Sequence, residues 1–152
     1  MVSITEIPKK FIAFFNKSGW QYSHLEDAHV LRATNAQISH LEVTIVYQET
    51  GYAIFFGLPF RMNAATKTET MEYVIRVNLD IDIGTFKIDL SDGTFVYASY
   101  TNITDLADIP DAFIIQSFMI SLNLIQKYGP GLSAVISGES DAETEYLKTI
   151  AE

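Results

Sequence analysis

The densest group of residues that could carry out chemistry is the segment His24-Leu25-Glu26-Asp27-Ala28-His29. Imidazole and carboxylate groups bind transition-metal ions, and a turn between two strands would bring two of these side chains together. A closed zinc site needs four fixed ligands, and the remaining histidine, His40, lies beyond an intervening polar segment. The pattern therefore favours a polar turn with half-exposed histidines, and we predict no metal ion or other cofactor.

Two pairs of carboxylates are the other candidates for chemistry. Asp80 and Asp82 lead into a glycine as in a calcium-binding loop, but that glycine stands at loop position five instead of six, and position twelve is Ser91 instead of Glu. Asp105 and Asp108 would need shifted pKa values in a pocket to act as general acid and base. Both pairs stand near expected helix ends, where aspartate is favoured. We therefore interpret them as caps and turns.

Other catalytic patterns are missing from the sequence. It contains no Gly-x-Ser-x-Gly nucleophile elbow, and its glycines are too isolated to form a loop that cradles phosphate. It also has no cysteine, so thiol catalysis and disulfides are excluded. We expect a protein that is not an enzyme.

Length and charge limit the remaining classes of function. A chain of 152 residues fits one domain, which we place at residues 1–152. Its net charge of −9 disfavours binding to nucleic acid and to anionic membrane surfaces. The sequence shows neither a signal peptide nor a run of about 18 apolar residues that would span a membrane. We expect a cytoplasmic protein with no nucleic-acid or membrane partner.

Alternation of apolar and polar residues predicts a central β-hairpin. The alternation runs from Leu41 to Gln48 and again from Tyr52 to Phe56. With Thr50-Gly51 as the loop, Tyr47 would pair with Ile54, and apolar residues would face one another. Every second residue of these strands points to the opposite face of the sheet, which is also partly apolar.

Local residue types predict where several elements begin and end. Thr5 is a candidate cap for a first helix, which Gly19 ends. Leu58-Pro59 is expected to end the second strand of the central hairpin. Thr66 and Glu69 have the spacing of a capping box at the start of a second helix.

A second hairpin and a long helix complete the predicted fold. Asp92-Gly93 indicates a type I′ turn within residues 85–99, with Phe86 opposite Ser99. The next helix, residues 111–128, is apolar on nearly all sides, and Gly129-Pro130-Gly131 is expected to break it.

Together with a short strand at residues 29–35, the element order is α-β-β-β-α-β-β-α, and a short terminal helix at residues 142–151 follows. We predict an α+β fold in which helices pack on a mainly antiparallel sheet.

The apolar surfaces are the main clue to function. A helix that is apolar on all sides must bury more than one face, and a sheet that is apolar on both faces should be covered on both. One alternative is that the other helices of the same chain cover everything. The other is a symmetric dimer interface or a groove for a peptide, and the residues expected at such an interface are Phe113, Ile114, Phe118, Leu122, Ile125, Val46, Phe55, Val96 and Tyr100.

The order of elements and several short motifs resemble those of the YbjN-like proteins, whose fold is that of type III secretion chaperones. The matching motifs run over nearly the whole chain: Gly19-Trp20, Leu58-Pro59, Val77-Asn78, Gly84-Thr85-Phe86-Lys87-Ile88-Asp89, Asp92-Gly93, Tyr128-Gly129-Pro130-Gly131-Leu132 and Val135-Ile136-x-Gly138. The resemblance implies a small α+β domain, often dimeric through a helix, without known catalytic residues.

These observations lead to three expectations about function. The first is an acidic homodimer that binds a segment of an unidentified client protein, in the manner of a chaperone. The second is a regulatory adaptor that binds a folded partner, and the third is an enzyme or a protein that binds a small ligand. If the long helix forms the dimer interface, Phe118→Asp or Ile125→Asp should dissociate the dimer.

Overall fold

The computed structural model describes residues 1–38 and 41–151. Four helices have the bounds α1 Glu6–Ser18, α2 Lys67–Asp80, α3 Asp111–Ser137 and α4 Ala142–Ala151. Six strands have the bounds β1 Gln21–Leu25, β2 Val30–Thr34, β3 Glu42–Gln48, β4 Gly51–Arg61, β5 Thr85–Asp89 and β6 Thr94–Asn102.

The strands form one antiparallel sheet in the order β1-β2-β3-β4-β6-β5. The predicted α+β class is therefore confirmed. The sheet has one strand more than the five expected, because the extended segment after Trp20 forms β1 and pairs with β2. β1 is mostly polar and exposed, so its sequence shows no apolar alternation that would mark a strand.

The helices pack on one face of the sheet, which we call the inner face. Inner-face residues of β3 and β4 are buried, whereas Val46 on the opposite, outer face is 41% exposed. The centre of the core is aromatic. The ring centroids of five aromatic residues lie within 6.3 Å of that of Phe118 in α3: Phe11, Phe14, Phe15, Trp20 and Phe56.

The central hairpin has a different register from the predicted one. Gln48 pairs with Gly51 and Tyr47 pairs with Tyr52, so the loop is Glu49-Thr50 instead of Thr50-Gly51. Gly51 belongs to the strand, and only glycine fits there, because a Cβ would collide with the Thr101 carbonyl and the ring of Tyr100 on β6. A shift of two residues keeps every side chain on its expected face, so the wrong register leaves the predicted core unchanged.

The second hairpin shows the same kind of error. Phe86 pairs with Tyr97 instead of Ser99, and the loop has four residues, 90–93. The carboxylates of Asp89 and Asp92 accept hydrogen bonds from the backbone N–H groups of residues 91 and 94, both at 2.9 Å. Of the loop residues only Gly93 has a positive φ, of 76°. The predicted type I′ turn needs two positive φ values and is therefore wrong.

Leu58-Pro59 does not end β4, which continues to Arg61. The pairing with β6 shifts between Gly57 and Arg61. Proline is tolerated at such an irregularity, because its missing N–H is not needed for the ladder there.

The predicted caps of the first two helices are also corrected. α1 ends at Gly19 as expected, but the Thr5 side chain accepts no capping hydrogen bond. Thr66 and Glu69 do not form a capping box. The Thr66 hydroxyl donates to the carbonyl of Ile136 at 2.7 Å, and the Glu69 carboxylate accepts from the N–H of Ala142 at 2.8 Å. Both side chains therefore tie the start of α2 to the junction between α3 and α4.

Gly129-Pro130-Gly131 does not break the long helix, because α3 runs through it to Ser137 and ends at Gly138 with a φ of 79°. A Cβ at Gly131 would collide with the hydroxyl of Tyr73, which donates to the carbonyl of Tyr128 at 2.8 Å. Gly131 thus allows α3 and α2 to pack closely. Despite the length of α3, none of the helices in the described ranges is long and apolar enough to cross a membrane.

Candidate functional site

The histidine-rich segment forms the connection between β1 and β2. His24 Nε2 lies 2.7 Å from the hydroxyl of Tyr47, and His24 Nδ1 lies 3.9 Å from the Glu26 carboxylate. His29 adopts a left-handed conformation with a φ of 56°, and its ring stacks on that of Tyr47 at 5.2 Å. Burial and the nearby Glu26 carboxylate raise the pKa of Tyr47. These polar groups contact one another and hold the turn together.

A cavity of about 550 Å³ lies beside this cluster, walled on the other side by Ile4, Pro8 and Ile12. Across residues 1–38 and 41–151, no three histidine, aspartate or glutamate side chains are placed to hold one metal ion. His40, the third histidine, lies outside the described residues. Within the part that is described, the cluster is a structural turn with no assembled ligand set.

The candidate carboxylates also have structural partners. Asp80, the last residue of α2, accepts a hydrogen bond from the hydroxyl of Tyr146 on α4 at 2.6 Å. Asp108 and Asp111 lie 3.9 and 3.2 Å from the amino group of Lys10 on α1. These contacts join helices, and none of them forms a pair of carboxylates in a pocket.

The predicted helix interface divides between the core and the surface. Ile114 and Phe118 are buried in the aromatic core and cannot contact a second chain. Phe113, Leu122 and Ile125 are only partly buried. Phe118→Asp is therefore a change to the core of the monomer, and it does not test a dimer interface as the sequence suggested.

The solvent side of α3 forms one wall of an apolar groove. The opposite wall comes from the segment before β3 and from the end of β4. The groove encloses about 680 Å³, and its lining residues are Ile38, Leu41, Pro59, Phe60, Met119, Leu122, Asn123, Ile125, Gln126, Gly129, Pro130 and Ser133. From Met119 to Ser133 it follows α3 for about 21 Å, at the helical rise of 1.5 Å per residue.

The described residues that line the groove are neutral. None of them carries a charge, although the whole chain has a net charge of −9. Asn123, Gln126 and Ser133 recur at helical spacing, so their amide and hydroxyl groups follow one side of the groove. The groove therefore offers a long apolar surface with a line of neutral hydrogen-bonding groups beside it.

Gly129 and Pro130 give this groove its open floor. Gly129 itself is buried, but a Cβ added there would meet no atom within 4 Å beyond its chain neighbours and the nearby backbone of α3. Pro130 has no N–H to donate to the carbonyl of Gln126, which an uninterrupted helix would pair. In a helix the proline ring is directed at that carbonyl, and the missing side chain at Gly129 lets another chain approach the backbone of α3 closely.

The outer face of the sheet is the second uncovered apolar surface. All four sheet residues of the predicted interface, Val46, Phe55, Val96 and Tyr100, lie on it. Val46 is exposed, Tyr100 is 52% exposed, and Phe55 and Val96 are partly buried. Residues from five strands form one continuous line of cross-strand partners, which we call the apolar row: Leu25, Val30, Val46, Ala53 and Tyr100.

Sequence reasoning missed most of the groove. Met119 stands out in the sequence only as part of an all-round apolar helix, and Pro59 and Gly129 resemble breaks in secondary structure. The sequence did contain a sign of the groove. Met119, Leu122 and Gln126 have helical spacing, and Gly129 and Ser133 continue the same side of the helix if it extends past Tyr128.

Comparison with known proteins finds no matching family model, no matching curated protein and no matching solved structure.

Proposed function

We propose that this protein is a non-enzymatic binding module that receives an apolar helical segment of another protein in the groove along α3. The observation that carries the proposal is an uncharged groove of about 21 Å in length, at 1.5 Å per helical residue, which lies open on the surface of an acidic chain. The YbjN-like resemblance agrees with this proposal and stays a prediction, as does a cytoplasmic location.

The shape of the groove favours a peptide segment over a small metabolite. Small-ligand sites combine an enclosing pocket with a few convergent polar groups that fix the orientation of the ligand. Here the polar groups of Asn123, Gln126 and Ser133 are spread along the length of α3. An amphipathic helix presents apolar side chains at positions i, i+3 or i+4, and i+7, and such a pattern suits a long groove.

The floor of the groove determines how closely the segment approaches. Helix axes pack about 8–10 Å apart depending on the side chains between them, and Gly129 contributes no side chain. Because the whole chain carries a net charge of −9, we expect lysine or arginine near the ends of the segment.

A selection of randomised amphipathic helical peptides against the whole protein tests the proposal. We expect selected peptides to share the apolar spacing and to carry basic flanks. Calorimetric titration with one such peptide should show at least a tenfold weaker affinity for Met119→Glu, because the new carboxylate would be buried against apolar residues. Met119 is 53% exposed, so the variant should fold.

Ile75→Glu is the matched control. Ile75 is 69% exposed on α2 and does not line the groove, so the same charge is added away from the proposed site. Peptides that bind both variants as tightly as the wild type would place binding elsewhere and contradict the proposal. Failure to select any peptide would also count against it.

The adaptor alternative uses the same groove but a different form of partner. A folded partner would present a helix that is already formed. Gly129 suits such a helix, because the missing side chain leaves room for close approach without a change in the conformation of the partner's helix. Binding of a disulfide- or lactam-stapled helix without binding of the matching unstapled peptide would favour the adaptor over the chaperone-like function, since only the unstapled segment must fold on binding.

A further inference from the structure

The outer face of the sheet differs from the rest of the molecule in charge. Cross-strand register places five charged residues on this face: Arg32, Arg61 and Lys87, with Glu42 and Asp89. The face therefore carries a net charge of +1, whereas the chain carries −9, and the remaining surface carries −10. Two copies of the chain that approach by an acidic part of that remaining surface would bring like charges together.

The apolar row crosses this face from β1 to β6. Leu25, Val46 and Tyr100 are all exposed, and each row residue is the direct cross-strand neighbour of the next. At about 4.8 Å between strands, the row extends about 19 Å. Phe55 of the adjacent row is partly buried and widens the apolar area, whereas its cross-strand partner Ala98 is only 6% exposed and adds little to it.

We propose that a second copy of this chain covers the outer face of the sheet, with the two apolar rows packed against each other about a twofold axis. A twofold interface uses the same patch on both copies, so that patch must carry both signs of charge. This one does, with Arg32 near Glu42 on β2 and β3, and with Lys87 near Asp89 on β5. A different protein fits the outer face less well. A strongly acidic protein would be repelled by the acidic remainder of the chain, and a strongly basic protein would bind that remainder in preference to the outer face.

The size of the face predicts a weak and reversible dimer. The six strands have five spacings of about 4.8 Å, and four rows of side chains have three spacings of about 6.8 Å. The face therefore measures on the order of 500 Å² for each copy. This is below the roughly 800 Å² per partner that is typical of stable interfaces. We therefore expect monomer and dimer to exchange at micromolar concentrations. The inference does not rest on the function proposed for the groove.

Sedimentation velocity of the whole protein across a wide concentration range tests the inference. The wild type should shift from monomer to dimer as its concentration rises. Val46→Glu would place two carboxylates in the centre of the paired rows, and it should remain monomeric at every concentration. Val46→Thr keeps the β-branched shape that a strand favours, so it should fold normally and dimerise at least several-fold more weakly.

Two control variants separate this interface from contacts made by other surfaces of the molecule. Ile75→Glu makes the same chemical change on an exposed helix and should dimerise like the wild type. Met119→Glu alters the groove and should also dimerise normally. A wild type that stays monomeric throughout, a folded Val46→Glu that still dimerises, or dimerisation lost only in Met119→Glu would overturn the inference. The last result would assign the contact between copies to α3.

Discussion

Phe118 and Met119 are neighbours in α3 and are both large and apolar, but they lie in opposite environments. Phe118 is 1% exposed and is surrounded by aromatic rings from α1, β4 and Trp20. Met119 is more than half exposed and lines the groove. The two residues represent the two sides of the helix, of which one holds the monomer together and the other is open for binding.

The difference shows what an apolar helix can and cannot tell. A helix that is apolar on several sides indicates that more than one face has a use. It does not indicate which face packs inside the chain, because the hydrophobic effect is not directional. That assignment depends on where the rest of the chain packs, since α1, α2, α4 and the sheet all contact α3.

The sharpest test of this comparison introduces the same residue at both positions. Phe118→Glu removes a buried ring and buries a carboxylate, and it should cost more than about 4 kcal/mol, a large part of the stability of a domain of this size. Met119→Glu should change the free energy of unfolding by less than about 0.5 kcal/mol. Urea denaturation followed by circular dichroism measures both values.

An intact, folded Phe118→Glu would mean that the core is not built around this ring. A strongly destabilised Met119→Glu would mean that the groove side is covered within the chain. Either result would remove the distinction between the two sides of α3, and the second would also remove the basis of the proposed function.

The elements of the fold could be predicted far better than their contacts. The alternation from Leu41 to Gln48 identifies a strand because a period of two is a local property. Register is not local, since it depends on segments far apart in the chain: Gly51 lies so close to Tyr100 and Thr101 of β6 that a Cβ would collide with them. The same limitation applies to Thr66 and Glu69, whose spacing fits a cap but whose side chains reach the distant α3–α4 junction.

The candidate site was harder to predict than the fold for a related reason. Its floor is formed by Gly129 and Pro130, which belong to a Gly-Pro-Gly segment that intrinsic propensity marks as the end of a helix. Packing overrides that propensity, because Tyr73 fills the space that Gly131 leaves and fixes α3 against α2. The groove exists only if the helix continues, so the wrong helix end concealed it.

The two glycines beside Pro130 sharpen the comparison at a smaller scale. Gly131→Ala would direct a methyl group at the hydroxyl of buried Tyr73. We expect a destabilisation of about 1–2 kcal/mol, since overpacking outweighs the higher helix propensity of alanine. Thermal denaturation followed by circular dichroism measures the loss.

A double variant identifies the cause of that loss. Tyr73→Phe removes the hydroxyl, so Gly131→Ala should be tolerated better in that background than in the wild type. In the double-mutant cycle, the double variant should therefore lose less stability than the two single changes added together. If the two changes were simply additive, close contact with the hydroxyl would not be the reason for glycine at this position.

Gly129→Ala should have the smallest effect on stability. Beyond the residues next to it in the chain, the new Cβ would meet no other part of the protein within 4 Å, and alanine favours a helix by up to about 1 kcal/mol over glycine. The ring of Pro130 offsets this gain, because proline disfavours the helical conformation of a preceding residue that carries a Cβ. The variant should therefore unfold at nearly the same urea concentration as the wild type. The same methyl group would raise the floor of the groove, so a peptide selected against the wild type should bind the variant more weakly. An unchanged affinity would show that Gly129 has no part in binding, and a large loss of stability would show that the space at its Cβ is already filled.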